Sequence, residues 1–382
     1  MLHECRATIS HYWHTIQTHL FPALEEELGP LPATHQRLVR TLDMVRIEDF
    51  TPDCFGCPWR PARDRCAIGR AFIAKAVLNL PTTRALLNRL EADPVLRRLC
   101  GWESWGEIPS ESKFSRVFAE FAETALPVGL HHAVVETFQH ERLVGHISRD
   151  STAIHGREKP VKPSRESTPE PKRKRGRPKK GEEPPPKPPT RLERQQAMSG
   201  EEMLADLPTA CDTGAKRNSK NNVEYWIGYK LHLDSADGQI PISFVLTSAS
   251  THDSQAALPL AERTAQRVSN LYDVMDAAYD CAIIRQHSQS LGHTPLIDRN
   301  FKADHKAKAE HEAETKRLKL LHWTMPEARR FAQRSSVERV FARLKDEFGG
   351  RFVRVRGHAK VLAHLAFGIL ALTADQLIRL VL

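Results

Sequence analysis

Three carboxylates stand at positions in the chain that suit the binding of a metal ion. Asp150 follows the apolar run 143–147, and Asp276 ends the apolar run 271–275. Functional sites assemble at strand ends in α/β sheets, and carboxylate oxygens are the ligands that Mg²⁺ prefers. A strand-end Asp also forms turns and caps helices, so each aspartate taken alone leaves a purely structural interpretation open.

The third carboxylate, Glu338, lies in a stretch with helical periodicity. At about 100° per residue, a second stripe runs beside an apolar one and comprises Phe331, Arg334, Glu338 and Lys345. A glutamate flanked by cations on a partly buried seam is costly unless it pairs. The spacing therefore also fits a plain Arg334–Glu338 salt bridge on a solvated face.

The elements that must position these carboxylates change character near residue 140. Helical spacing before that point predicts helices over 4–28, 33–44, 71–80, 83–90 and 112–124. Later patterns predict strands over 143–147, 229–233, 240–247, 271–275 and 294–297, and helices over 252–268, 281–290, 302–320, 331–348 and 358–380. One strand, an insertion, a hairpin and then alternating helix and strand indicate a mixed α/β domain with a three-layer tendency.

Most of the net charge lies in that insertion. The chain of 382 residues has 56 Lys+Arg and 47 Asp+Glu, a formal net charge of +9. Residues 157–194 contain 14 Lys/Arg, 6 Asp/Glu and 10 of the 25 prolines, so they carry +8. Such a stretch buries too little apolar surface to offset its ordering entropy, and we expect a disordered linker.

Other features exclude membrane and disulfide-rich classes. The N-terminus lacks the pattern of a secretory signal, and the apolar run 361–374 is short and interrupted by His364. Seven unevenly spaced cysteines in a chain of this length do not form a disulfide scaffold. We therefore expect a cytoplasmic protein without a membrane partner.

The second half of the chain resembles the DDE transposases of bacterial insertion sequences. The resemblance is to the branch with a Tyr-x2-Arg-x3-Glu-x6-Lys signature, which here places Phe331 at the Tyr position, followed by Arg334, Glu338 and Lys345. Further segments resemble the family in its order: Asp150-Ser151-Thr152, Gly228 to His232, His252-Asp253 and Asp276 to Asp280. The stretch around 93–97 with 112–118 resembles the helical domain that usually precedes the catalytic core. His252-Asp253 fits a helix start as well as a catalytic motif.

The resemblance implies an RNase H-like catalytic core, a mixed five-stranded sheet with flanking helices, behind an all-α N-terminal domain. It implies a helical DNA-binding domain over residues 1–140, the first catalytic strand over 141–156, a disordered basic Pro-rich insertion over 157–210 and the remainder of the catalytic domain over 211–382. Asp150, Asp276 and Glu338 map to the metal ligands, and the metal would be Mg²⁺ or Mn²⁺.

The implied activity is cleavage at transposon ends and transfer of the freed 3′-OH into target DNA. Two metal ions acting as Lewis acids serve both the attacking and the leaving oxygen. The implied partners are terminal inverted repeats and target DNA, bound by a dimer in the bacterial nucleoid. The alternatives are a catalytically inactive DNA-binding protein and an RNase H-fold nuclease without strand transfer.

Several cations are candidates for DNA contact. We assign Arg334 and Lys345 to the region of the scissile phosphate, and Phe331 to stacking on a base, since it lacks the hydroxyl of the family's Tyr. Arg351, Arg354 and Arg356 alternate with apolar residues, as in a ribbon that presents arginines to phosphates. A solvated basic face remains the alternative.

Two further motifs lie outside the segments that resemble the family. Arg175-Gly176-Arg177-Pro178 resembles an AT-hook, whose arginines enter a narrow minor groove; a nonspecific polybasic tract is the alternative. Cys54, Cys57 and Cys66 offer three soft ligands for Zn²⁺, but nothing fixes a fourth, so free thiols are the other interpretation.

Overall fold

The computed structural model describes residues 2–51, 64–140, 142–161, 188–217, 222–301 and 304–381. Six strands lie in these ranges: β1 Leu143–His155, β2 Asp212–Arg217, β3 Val223–Ala236, β4 Ile240–Ser248, β5 Ser269–Met275 and β6 Thr294–Ile297. The α-helices there are α1 Leu2–Thr15, α2 Phe21–Leu28, α3 Ala33–Val45, α4 Asp64–Val77, α5 Thr83–Ala92, α6 Pro94–Cys100, α7 Glu111–Glu123, α8 Leu126–Gln139, α9 Arg191–Gln195, α10 Gly200–Ala205, α11 Ala257–Ala265, α12 Ala282–Ser290, α13 His305–Leu320, α14 Pro326–Phe331, α15 Ser335–Glu347 and α16 His358–Arg379.

The strands form one mixed sheet with β1 near its centre. β1 is antiparallel to β3 and parallel to β5, β3 is antiparallel to β4, and β5 is parallel to β6. The main order is therefore β4-β3-β1-β5-β6, which is the predicted five-stranded RNase H-like sheet. The short strand β2 adds a sixth member by pairing with the first half of β3.

Helices cover both faces of the sheet, as the three-layer expectation requires. α15 packs on β1 and β3, and α16 packs on β4. On the other face α11 packs on β3 and β4, and α12 packs on β6 and α11. The RNase H-like fold behind an all-α N-terminal region is thus confirmed.

The helix α16 joins the N-terminal helices to the sheet. It packs against α3, α4, α7 and α8 as well as β4, and most of its side chains are buried. It is long and apolar enough to cross a membrane, but 78% of that apolar window is buried inside the protein. Its hydrophobicity is therefore used in the core, where one hydrophobic cluster spans both regions. The predicted boundary near residue 140 stays a prediction.

Two expectations from the sequence are wrong: the strand length indicated by the apolar pattern, and the extent of the disordered insertion. The apolar run marks only 143–147, whereas β1 continues to His155, inside the range 141–156 that the resemblance implies, so Asp150 lies within the strand. Several polar residues of this extension find partners in neighbouring elements, as Arg149 does in Asp234 and Ser151 does in Asp253. The predicted disordered insertion over 157–210 also extends too far, because residues 191–205 contain α9 and α10, and Met203 and Leu207 are buried.

Candidate active site

Asp150 and Asp276 lie side by side on neighbouring parallel strands. Leu143 pairs with Ser269 and Ser148 with Val274. Asp150 lies two residues further along β1, and Asp276 directly follows β5. Continued past the last paired residues, this register puts the two near each other at about the strand spacing of 5 Å, and Asp276 acts electrostatically on Asp150. Both carboxylates are half-buried. Two of the three acidic residues singled out in the sequence therefore meet at one edge of the sheet.

The two aspartates influence each other electrostatically. Burial, with the nearby carboxylates of Asp276 and Asp253, raises the pKa of Asp150 to about 6. Burial also raises the pKa of Asp276, and Asp253 again contributes. Groups that are desolvated and close to like charges hold a proton more tightly. A cation placed between them would relieve that repulsion.

The third carboxylate that the structure brings to this pair is Asp253. It accepts a hydrogen bond of 2.7 Å from the hydroxyl of Ser151 and pairs with the ammonium of Lys230 at 3.1 Å. Burial would raise the pKa of Asp253, but its partners hold that pKa below its usual value. Because burial lowers the pKa of His232 to about 4, the imidazole is neutral and Lys230 is the main charged partner.

From the sequence alone, Asp253 fits either the start of a helix or a catalytic site. In the structure His252 caps a short 3₁₀ turn, Asp253–Ala256, with its ring accepting from the backbone N–H of Ser254. Asp253 itself points toward β1, where Ser151 donates to it. The contact between Asp253 and Lys230 in the folded chain is what marks Asp253 as part of this site. One sequence does not reveal that contact.

Glu338 approaches the aspartates through a shared guanidinium. Its carboxylate is 53% exposed and pairs with Arg334 at 3.2 Å. The same guanidinium lowers the pKa of both Asp150 and Asp276 against the raising effect of burial. Arg334 therefore lies within electrostatic reach of all three carboxylates, and the salt bridge proposed as the plain alternative is present as well.

The helix that carries Glu338 is fixed in register with β1. Ser336 donates to Ser148 at 3.2 Å, and the Lys345 ammonium donates to the hydroxyl of Thr152 at 2.6 Å. Nine residues of helix and four of strand both span about 13 Å, so α15 runs alongside β1. Asp150 lies between the two attachment points.

Phe331 does not share a helix with Glu338, contrary to the continuous helix predicted over 331–348. It ends α14, and a 3₁₀ turn, Ala332–Arg334, separates it from α15. Side-chain hydroxyls bond to the backbone carbonyls there: Ser148 donates to the carbonyl of Gln333, and Ser335 donates to that of Ala332. Such bonds compete with the α-helical ladder, which removes Phe331 from the predicted stripe.

The donor set suits a hard divalent cation in kind. Carboxylate oxygens are the preferred ligands of Mg²⁺ and Mn²⁺, and the buried hydroxyl of Tyr279, near all three aspartates, has no hydrogen-bond partner within the described structure. In the part of the chain described, no three metal-ligating side chains are already gathered closely enough to hold an ion. The carboxylate of Glu338 pairs with Arg334.

Comparison with known families agrees with the fold. Residues 191–374 match the transposase DDE domain family, and residues 27–120 match a second transposase domain, DUF772. The chain belongs to the DDE transposases of insertion sequences. No curated protein and no solved structure matches it. The first match includes Asp276 and Glu338 but begins after Asp150, whose assignment rests on its register with β5.

The transposase presents its other candidate DNA contacts unevenly. Arg351 pairs with Asp346 at 3.0 Å, whereas Arg354 and Arg356 are exposed. The predicted ribbon is not formed, because residues 352–356 lie outside any strand. Lys216 on β2, which the sequence did not single out, acts electrostatically on both Asp276 and Lys345.

Two predicted motifs of the transposase fall on residues that the structure does not describe. Arg175, Gly176, Arg177 and Pro178 lie outside the described ranges, as do Cys54 and Cys57. Cys66 is described as a half-buried free thiol, close to the hydroxyl of Thr51. The AT-hook and the zinc site stay predictions.

Proposed function

We propose that Asp150, Asp276 and Glu338 together hold the divalent metal, Mg²⁺ or Mn²⁺, with which this transposase cleaves DNA at the ends of its element. The observation that supports the proposal is that one guanidinium, that of Arg334, pairs with Glu338 at 3.2 Å and acts electrostatically on both Asp150 and Asp276. DDE transposases use such metals in general. Bound there, the metal supplies Lewis-acid stabilisation of the attacking and leaving oxygens of the phosphodiester.

The protein's own residues bind and orient the DNA strand. Arg334, once released from Glu338, offers a bidentate donor to the phosphate next to the scissile bond. Lys345 places a second cation at the same edge, held there by Thr152. Asp253 stays ionised by its pairing with Lys230 and keeps the loop before α11 fixed against β1. Phe331, half-buried at the end of α14, is the proposed contact for an unpaired base.

The product of cleavage is a 3′-OH, which the same edge of the sheet then joins to target DNA. We propose that two element ends, each an inverted repeat, are held by a dimer and that the protein works at the nucleoid of a bacterial cell. The N-terminal helices, which lie beside the catalytic domain through α16, are the proposed reader of the repeat sequence.

The test uses a duplex carrying the element's terminal repeat, a target plasmid and Mg²⁺. Asp150→Asn, Asp276→Asn and Glu338→Gln each remove one charge with little change of shape, and each is expected to abolish cleavage and joining while DNA binding in a gel-shift assay persists. Glu314→Gln, at an exposed position on α13, is the matched control and retains activity. Chelation of the metal by EDTA abolishes cleavage by the wild-type protein.

The other outcomes separate the alternatives. Nicked products without joined products would identify a nuclease of the same fold that lacks strand transfer. Binding without any cleavage by the wild-type protein, in Mg²⁺ or Mn²⁺, would identify a DNA-binding protein that has lost catalysis. Normal cleavage by any of the three variants would remove that residue from the site.

A further inference from the structure

A cavity lies where the N-terminal helices meet the end of the catalytic domain. It encloses about 300 Å³ between α4, the start of α5, α7, α16 and the segment that connects α15 to α16. Its floor is aromatic: Phe72 and Phe367 stack with ring centroids 5.8 Å apart, and Phe118 packs beside them. Small-molecule sites combine such an apolar floor with a few polar groups.

The lysines and arginines of this cavity give it a positive charge. Lys75, Arg354, Arg356 and Lys360 line it, and no Asp or Glu is found among its lining residues in the described chain. The last three are exposed at its mouth. Four cations that converge without a counter-charge repel one another, so an anion bound among them would be stabilised.

Lys75 is the most telling of the four. Only 8% of this residue is exposed, and its ammonium has no hydrogen bond or ion pair within the described structure. Burial lowers its pKa to about 8. A buried ammonium without a partner is costly, and the fold retains one that faces a cavity. That arrangement is typical of a group whose partner is a ligand.

The size and lining of the cavity narrow the ligand class. A volume of about 300 Å³ is at the lower end for ligand pockets, far too small for a duplex and suited to a single planar group. Arginines bind phosphate through charge-assisted hydrogen bonds, and aromatic surfaces accept bases irrespective of sequence. The hydroxyls of Thr83 and Ser115, which also line the cavity, can donate to a phosphate or a sugar.

We infer that this cavity binds one nucleoside phosphate, with the base on the phenylalanine floor and the phosphate on Lys75, Arg354 and Arg356. The ligand comes either from a free nucleotide or from an unpaired nucleotide of a DNA strand, since both offer the same chemistry. The site shares no residue with the proposed metal site and does not depend on it.

Titration calorimetry of the full chain tests the inference with four probes: adenosine 5′-monophosphate, adenosine, inorganic phosphate, and a duplex with a single unpaired 5′-phosphorylated nucleotide, compared with its blunt counterpart. The nucleotide is expected to bind, and Lys75→Met to weaken it by about 10-fold or more, since a hydrogen bond to a charged group contributes about 1.5–3 kcal/mol. Arg356→Gln, at an exposed position, is expected to weaken it several-fold. Lys319→Met, an exposed lysine on α13, is the control and leaves binding unchanged.

Each outcome has one meaning. Equal Lys75-dependent binding of the mononucleotide and the overhang duplex identifies a site open to free nucleotides, and binding of the overhang duplex alone identifies a strand nucleotide. Inorganic phosphate or adenosine binding as tightly as the mononucleotide would overturn the assignment to a nucleotide. Lack of any change in Lys75→Met and Arg356→Gln would overturn the site. Asp150→Asn separates this test from the metal site, because it should bind the nucleotide as the wild type does.

Discussion

The buried ion pair beneath the acidic edge gives a sharp prediction about stability. Arg149, the residue before Asp150, donates two hydrogen bonds to Asp234, at 2.8 and 2.7 Å. The side chains are 3% and 0% exposed. Substitution Asp234→Ala leaves the guanidinium buried without its counter-charge, and each lost charge-assisted bond is worth about 1.5–3 kcal/mol.

We therefore expect Asp234→Ala to lower the free energy of unfolding by about 4 kcal/mol, within the range of about 3–5 kcal/mol for breaking a buried pair. The assay is urea denaturation followed by circular dichroism, in which the midpoint moves while the slope stays constant. The double variant Arg149→Met/Asp234→Leu removes both charges and should recover most of the loss.

A surface pair of the same chemical type supplies the control. Glu314 and Arg317 lie 3.4 Å apart on α13 with side chains 51% and 70% exposed. Glu314→Ala should cost less than about 0.5 kcal/mol, because exposed pairs are screened by water. If Asp234→Ala cost no more than Glu314→Ala, the reasoning that β1 is anchored by a desolvated charge pair would be refuted.

Three further predictions follow from single contacts. His364 is half-buried and desolvation lowers its pKa to about 3, so the unfolded chain takes up a proton at this residue first as the pH falls below about 6.5. From this group, the free energy of unfolding should therefore fall toward acid by about 1.4 kcal/mol per pH unit. His364→Gln should remove that part of the pH dependence, measured by urea denaturation at pH 5 to 6.5, and an unchanged slope contradicts this. Gly228→Ala should destabilise by about 3 kcal/mol, since φ is +150° and a Cβ would collide with the carbonyl of Ile154; a thermal midpoint equal to that of the wild type would show that the strand can shift. Lys345→Met should reduce strand transfer by about 10- to 100-fold without unfolding the protein, because the ammonium donates to Thr152 beside the acidic edge, and normal transfer would assign this lysine to structure alone.

Much of the fold was accessible from the sequence because apolar periodicity marks elements that bury one face. The resemblance implied a mixed five-stranded sheet, whereas apolar periodicity understated the length of β1. β1 reads as polar after Ile147, yet it lies between two strands, and its hydroxyls and its arginine are satisfied by partners far away in the chain, such as Ser336 for Ser148 and Asp234 for Arg149. The residue pattern of one strand does not show which side chains of other elements will pair with its polar residues.

The site was predictable in part for the same reason. Asp150 and Asp276 could be singled out because one follows an apolar run and the other ends one, and the parallel pairing of β1 with β5 brings the two near each other. Asp253 could not be singled out, since its approach to the pair depends on Lys230 and Ser151. The role of Glu338 in binding metal stays a prediction, because its carboxylate is largely exposed and pairs with Arg334.

The burial of α16 between two regions has a consequence for how such elements evolve. A core helix that packs on α3, α4, α7 and α8 as well as on β4 makes the end of the chain a structural part of its beginning. A recombination event that exchanged the N-terminal region with that of another element would present α16 with side chains it was not selected to fit, and mismatched cores lose stability. The region that is proposed to read the repeat and the region that cuts are therefore expected to be inherited together, and new repeat specificities to arise by point substitution on exposed helix faces.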